Sequence, residues 1–193
     1  MKIGVLALQG AVKEHLDMIS SAGAEAVVIK TVDQCDEIDG IIIPGGESTT
    51  IGRLMKIYGF IDKLKEFSNQ GKPIFGTCAG MILLAKEIVG QTENHLGLMD
   101  MKVARNAFGR QRESFEANLP IKGLESPLRA VFIRAPLIEK VSPEVEVLSE
   151  YNGKIVAAKQ GHLLAASFHP ELTDDFRLHS YFVNMVKQYS LVK

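Results

Sequence analysis

Cysteine is scarce in this chain: there are two among 193 residues, Cys35 and Cys78. Two thiols are too few for a disulfide framework and fit a reducing compartment, although counting alone leaves one internal bridge open. Charge of one sign is also missing. With 22 Lys+Arg against 23 Asp+Glu, the net charge of −1 gives no electrostatic footing for nucleic acid or an anionic membrane surface. No apolar run approaches the ~18 residues that span a bilayer. Residues 1–8 are apolar, but they hold one Lys and no small-residue cleavage site, so they read as a first strand rather than a signal peptide. Internal repeats, low-complexity tracts and Pro/Ser-rich linkers are absent. These absences leave a cytoplasmic protein of one domain spanning 1–193, since about 100–200 residues is the usual domain size. An apolar content of 46% is enough for one substantial core and argues against disorder.

What is present alternates. Residues 2–8 form a continuous apolar run, and Val12, Leu16 and Ile19 follow at helical spacing, with Gly23 as a stop. Residues 25–30 and Ile41, Ile42 and Ile43 are further strands, the latter ended by Pro44-Gly45-Gly46. A helical stretch over 48–67 carries a break near Gly59. Pro73, Ile74 and Phe75 make a fourth strand, and 79–88 reads as a buried helix. Near-continuous apolar strands separated by helices predict a parallel sheet covered on both faces, a three-layer α/β fold. In the second half, 130–134, 145–148, 154–159 and 163–168 read as strands, with turns at Tyr151-Asn152-Gly153 and Gln160-Gly161, some pairing antiparallel to extend the sheet. Leu178, Phe182, Met185 and Tyr189 predict a closing amphipathic helix.

Ligand sites in such sheets lie beyond the carboxyl ends of the strands, and three segments qualify. In Gly76-Thr77-Cys78-Ala79-Gly80, small residues flank a nucleophile between strand and helix, the pattern of a nucleophile elbow. The turn is too tight for side chains at Gly76 and Gly80. A helix start lowers a thiol pKa, and the Ala79 N–H points at a developing oxyanion. Taken alone, Cys78 is as readily a buried structural cysteine. Cys35, beside Asp33, Asp36 and Glu37, has no elbow and reads as structural. In Ser167-Phe168-His169-Pro170-Glu171, His169 leaves a strand end with an acid two residues on, which makes it a base and Glu171 the group that fixes its tautomer. His15, His95, His162 and His179 have no paired acid in such a setting. In Pro44-Gly45-Gly46-Glu47-Ser48-Thr49-Thr50 no Gly-Lys-Ser/Thr follows, so it is not a phosphate loop. It serves better as a second oxyanion donor through Gly46, or as a helix cap through Ser48 or Thr49. No His/Cys cluster has metal-ligand spacing, and no dinucleotide pattern occurs in context. Arg105, Arg110, Arg112 and Arg134 read as a solvated face, with residues 105–112 as a candidate lid.

Assembled, the chain resembles the class I, triad-type glutamine amidotransferases, which have a flavodoxin-like fold. More narrowly it is similar to the glutaminase subunits of two-component pyridoxal 5′-phosphate synthases. The likeness runs through Gly4–Gly10, the Pro44–Thr50 segment, the Cys78 elbow, Arg105-Asn106-Ala107-Phe108-Gly109, Phe132-Ile133-Arg134-Ala135-Pro136 and Phe168-His169-Pro170-Glu171. The resemblance implies that Cys78 attacks the side-chain amide of L-glutamine, with His169 as proton carrier and Glu171 as its orienter. It implies glutamine contacts from Gly46, Glu47, Ser48, Arg105, Ile133 and Arg134. It also implies a synthase subunit as partner in a hetero-oligomeric complex, receiving ammonia through a channel, with no metal and no cofactor on this chain. Docking is then expected to complete the oxyanion hole or the Gln9-Gly10 region. Two other readings stand beside it: another elbow-cysteine α/β enzyme of the peptidase or deglycase kind, and a catalytically silent docking subunit.

Overall fold

A computed structural model describes residues 1–109 and 113–192, so Arg110, Arg112 and part of the candidate lid lie outside the described residues. The first half follows the expected alternation: β1 (Lys2–Leu6), α1 (Val12–Ser21), β2 (Glu25–Ile29), β3 (Gly40–Ile43), α2 (Ser48–Ile57), α3 (Phe60–Asn69), β4 (Ile74–Thr77) and α4 (Ala79–Leu84). The long helical stretch breaks where the glycine stands, because Gly59 adopts φ +81°, a left-handed turn that caps α3.

One helix is shorter than its sequence suggests. Residues 79–88 split into α4 and a strand, β5 (Ala85–Ile88), which pairs in parallel with β6 (Met99–Ala104). Ala-Lys-Glu is good helix-forming sequence, but only Ala85 and Ile88 are buried, and pairing with β6 overrides the local preference. The remaining strands are β7 (Ser114–Leu119), β8 (Leu128–Ile133), β9 (Leu137–Val141), β10 (Glu146–Tyr151), β11 (Lys154–Gln160) and β12 (Leu163–Ala166), and α5 (Arg177–Leu191) closes the chain. The main sheet runs β2-β1-β3-β4-β12-β11-β9-β6-β5, with β10 on β11. From β2 to β12 every pairing is parallel. Beyond β12 the pairs through β11 and β9 are antiparallel, the expected extension. The strand expected at 130–134 is not part of it: β8 pairs only with β7 in a separate two-stranded sheet.

Alternation sorts the buried strand residues between the faces. Ile41, Ile43 and Ile74 pack with Met55, Leu64 and Phe67 of α2 and α3. Val5, Ile42 and Phe75 pack with Ile19 of α1 and with Leu178, Phe182 and Val186 of α5. The stripe read on the last helix is buried at Leu178, Phe182 and Met185, and Tyr189 is half-buried. Both cysteines are free and buried. Burial, more than the neighbouring Asp36 and Asp33, raises the Cys35 thiol to about 11, which leaves it inert. Among the described residues no helix is long and apolar enough to cross a membrane.

Parallel neighbours bring the three motif segments together. β4 lies between β3 and β12, with Ile43 opposite Gly76 and Ala166 opposite Thr77, so all three chains leave the same edge side by side. The turn after β4 is as cramped as its glycines imply. A Cβ on Gly80 would sit 2.1 Å from the Ile43 carbonyl oxygen, and one on Gly76 would sit 2.4 Å from the Gly80 oxygen. Both obstacles are backbone, which yields little. Gly80→Ala is therefore expected to destabilise the protein by about 1–3 kcal/mol, the usual cost of overpacking, read as a lower urea midpoint at unchanged m-value.

Candidate active site

Cys78 has φ +53° and ψ −112°, a conformation L-residues rarely adopt, and its N–H donates to the Ala166 carbonyl at 2.8 Å. That bond ties the elbow to β12, from whose end His169 emerges; the His169 N–H in turn donates to the Val131 carbonyl of β8 at 2.8 Å. The two side chains meet over Gly45. A Cβ built there would lie 3.3 Å from Cys78 Cβ and 2.9 Å from His169 Cε1, so only glycine leaves room for them. Glu171 sits in a single 3-10 turn, Pro170–Leu172, and one of its carboxylate oxygens lies 2.6 Å from His169 Nδ1. Burial opposes the charged imidazole, but hydrogen bonding and charge interaction with Cys78 and Glu171 outweigh it and raise His169 to about 10. The ring is thus held protonated between sulfur and carboxylate.

A cavity of about 370 Å³ opens on the sulfur, lined by Gly46, Glu47, Ser48, Cys78, Ala79, Ile82, Arg105, Asn106, Arg134 and Pro136. Six of the candidates named from sequence, besides Cys78, are in this wall. Ile133 is not, but its carbonyl faces Cys78 Sγ at 3.9 Å. Asn106 and Pro136 lie within the motif segments without having been named as contacts, and Ile82 lies outside them. Backbone strain gathers here: of the four described non-glycine residues with positive φ, Cys78, Asn106 and Arg134 line the cavity, and Asn152 makes the expected tight turn with Gly153. Ala79 opens α4, where the first N–H groups have no intrahelical acceptor. Gly46 has φ +138°, and the Gln9 side chain covers it: Gln9 Oε1 accepts from the Glu47 N–H at 2.9 Å and would lie 2.5 Å from a Cβ on Gly46.

The cap of α2 is neither Ser48 nor Thr49. Glu47 is the capping residue, and its carboxylate accepts from the N–H groups of Thr49 (3.1 Å) and Thr50 (2.6 Å) and from the Thr50 hydroxyl (2.7 Å). Its longer side chain reaches back where Ser48, already inside the first turn, has no reach. Those bonds, led by the Thr50 hydroxyl, hold Glu47 down at about 2. Arg105 reaches the same carboxylate at 3.2 Å, so its guanidinium is oriented across the cavity rim.

Two histidines set aside from sequence also belong to this site. His15 of α1 and His179 of α5 are fully buried, with Nδ1 of His15 2.9 Å from Nε2 of His179. His15 Nε2 lies 3.5 Å from the second carboxylate oxygen of Glu171 and 3.3 Å from Thr77 Oγ1. His15 does therefore have an acid nearby, delivered by tertiary packing rather than by sequence proximity. The available signal was a histidine inside an otherwise apolar stripe, between Val12 and Ile19 in α1 and beside Leu178 and Phe182 in α5.

Comparison with known proteins gives a consistent set of likenesses. The sequence profile of the SNO glutamine amidotransferase family matches residues 5–188. The chain is similar to "Pyridoxal 5'-phosphate synthase subunit PdxT" of Niallia circulans, 67% identical over 97% of this chain and 99% of the relative. The protein of that name from Shouchella clausii (strain KSM-K16) is 60% identical over 100% of this chain and 99% of its own. A crystal structure described as a glutamine amidotransferase is similar with a TM-score of 0.91 and 46% identity, covering 96% of this chain and 98% of that one. PurLQS from Thermotoga maritima, at a TM-score of 0.70 and 17% identity over 98% and 97% of the two chains, shares the fold alone.

Burial keeps His179 neutral, lowering it to about 3, and also pushes His15 well below its ordinary value. An unfolded histidine takes up a proton near pH 6.5, whereas folded His179 does so only near 3. Stability is therefore full above 6.5 and falls with acidification, by about 1.4 kcal/mol per pH unit for each such histidine. Urea midpoints measured between pH 7 and pH 4 are expected to fall more steeply for the wild type than for His179→Gln; parallel slopes contradict a neutral buried His179.

Proposed function

The chain belongs to the SNO glutamine amidotransferase family, and from that premise we propose that it is the glutaminase subunit of a pyridoxal 5′-phosphate synthase. On this reading 1–193 is one cytoplasmic amidotransferase domain that hydrolyses L-glutamine and delivers ammonia to a synthase subunit. The observation that carries it is the convergence of His169 and Glu171 on Cys78, which lines a cavity of about 370 Å³. Relatives that bear the synthase-subunit name at 60–67% identity over nearly their whole length support the assignment to that pathway.

The sulfur of Cys78 attacks the side-chain amide carbon, and the carbonyl becomes an oxyanion facing the N–H groups of Ala79 and Gly46. His169 gives its proton to the departing nitrogen, and ammonia leaves a glutamyl thioester. The imidazole, now neutral, takes a proton from water, whose hydroxide attacks the thioester. Glutamate is released, and the proton returns the site to its starting state. Glu171 holds the ring at Nδ1 throughout, leaving Nε2 for the transfers. Gly46, Glu47, Ser48 and the Ile133-Arg134 strand end contact the bound amino acid. Arg105, already turned across the rim by Glu47, offers a guanidinium to the α-carboxylate. Gln9, lying over Gly46 and bound to the Glu47 N–H, is the group whose movement on docking would open the second oxyanion donor.

Three measurements test this reading. Glutamate release by the chain mixed with a synthase subunit is expected to be fast, and slow for the chain alone. Cys78→Ala is expected to abolish it with an unchanged far-UV spectrum and thermal midpoint; a variant that fails to fold would instead mark Cys78 as structural. A glutamine analogue with an electrophilic carbon should label Cys78 in the complex, and no adduct there would support a silent docking subunit. Turnover of peptides or glyoxals without glutamate release would favour the peptidase or deglycase class.

A further inference from the structure

The triad chemistry uses one oxygen of Glu171, the one 2.6 Å from His169. The other, Oε2, is buried and has no hydrogen-bond partner, a costly condition for a carboxylate. The nearest nitrogen described for it is His15 Nε2 at 3.5 Å. His15 is itself bonded to His179 at 2.9 Å, and His179 Nδ1 is buried with no partner. The polar and titratable groups around the carboxylate are then His169 with Cys78 beyond it, His15 from α1, the Thr77 hydroxyl from β4, and His179 from α5 acting through His15.

One arrangement of protons suits this set best. If His15 carried its proton on Nδ1, it would donate to His179 Nε2. The proton of His179 would then sit on the unpartnered Nδ1, and the His15 Nε2 lone pair, while able to accept from the Thr77 hydroxyl, would face a carboxylate. If both rings carry the proton on Nε2, His179 donates to His15 Nδ1, and the His15 N–H lies between Thr77 Oγ1 at 3.3 Å and Glu171 Oε2 at 3.5 Å. All that remains unpaired is an acceptor on His179, and buried acceptors go unpaired more readily than buried donors. Both N–H dipoles then point toward the negative charge.

We propose that His15, held in its Nε2–H form by His179, is a positioning residue of the glutaminase reaction, steadying Glu171 through Oε2 so that Oε1 can orient His169. The inference deepens the triad reading above and rests on it. His15 touches neither sulfur nor substrate; it acts through the carboxylate.

The test compares His15→Phe and His15→Gln in the full chain assembled with a synthase subunit. His15→Phe is expected to lower kcat about 10–100-fold, as loss of an outer partner of a functional side chain commonly does. KM for glutamine should stay near the wild-type value. The acid limb of the kcat/KM profile should move to higher pH, because a carboxylate without its donor protonates more readily. His15→Gln, whose amide N–H reaches the same place, should restore most of the rate and the limb. Unchanged kcat and acid limb in His15→Phe, or a His15→Gln variant as impaired as His15→Phe, overturns the proposal. If His15→Phe does not fold, nitrogen-15 spectra of the wild-type histidines decide: Nε2–H on both rings supports the proposal, and Nδ1–H on His15 overturns it. Should the wild-type complex release no glutamate, the triad reading fails by itself. The tautomer spectra and a carbon-13 titration of Glu171, raised in His15→Phe and not in His15→Gln if the donor matters, still judge this inference separately.

Discussion

The parallel seating of β4 between β3 and β12 is the constraint from which the site follows. Pairing of Gly76 with Ile43 and of Thr77 with Ala166 sets three loop exits next to one another. Neighbouring strands are about 4.8 Å apart, so residues just past their ends are already within reach of each other. A slip of one residue in β4 would exchange its two faces, turning Phe75 away from α5 and Ile74 away from α3. Burial on both sides makes that slip expensive, and the same burial fixes where Cys78 stands. The elbow adds a second lock. Gly80 lies so close to the Ile43 carbonyl that no side chain fits, and the Cys78 N–H is tied to Ala166. The unfavourable backbone angles of Cys78 persist because the sheet on both sides over-determines them.

Electrostatics divides the site into a rim and an interior. The Arg105–Glu47 pair is exposed, and pairs of that kind contribute about 0–1 kcal/mol. Glu47 is secured instead by the N–H groups it caps, and the ion pair sets only the direction of Arg105. Inside, a proton on His169 balances Glu171 and the sulfur against the cost of burial, while the two deeper histidines remain neutral. A neutral histidine pair suits this position better than a cation would: it offers an N–H to the carboxylate without competing with His169 for its charge.

The sequence was most legible where a local rule coincided with tertiary packing. Gly59 broke the helix it was expected to break, and Gly76 and Gly80 met the backbone their absence of side chains implied. Cys78, His169 and Glu171 were readable because the elbow and the His-Pro-Glu exit are local patterns, and adjacency in a parallel sheet supplied the rest. Reading failed where partners are remote. Residues 85–88 carry helix-forming chemistry and become a strand only because β6 lies alongside. β8 has the composition of a sheet extension and forms a separate hairpin with β7. His15 lies 156 positions from Glu171 in the chain by its numbering and shares no motif with it.

That separate hairpin is part of the site's construction. Val131 of β8 accepts the His169 N–H, and the Ile133 carbonyl at the end of the same strand faces Cys78 Sγ. His169 and Cys78 are therefore each touched by two structures: the main sheet, which sets where they leave, and the small sheet, which limits where they go next. Just beyond β8 the chain turns left-handed at Arg134, whose N–H donates to the Glu113 carbonyl, and Asn106 turns likewise after β6. The cavity wall is thus built on strained turns, while Cys78 and His169 stand at the centre of the sheet. Substrate fit can vary with those turns without disturbing the distance between imidazole and carboxylate, because the two depend on different parts of the fold.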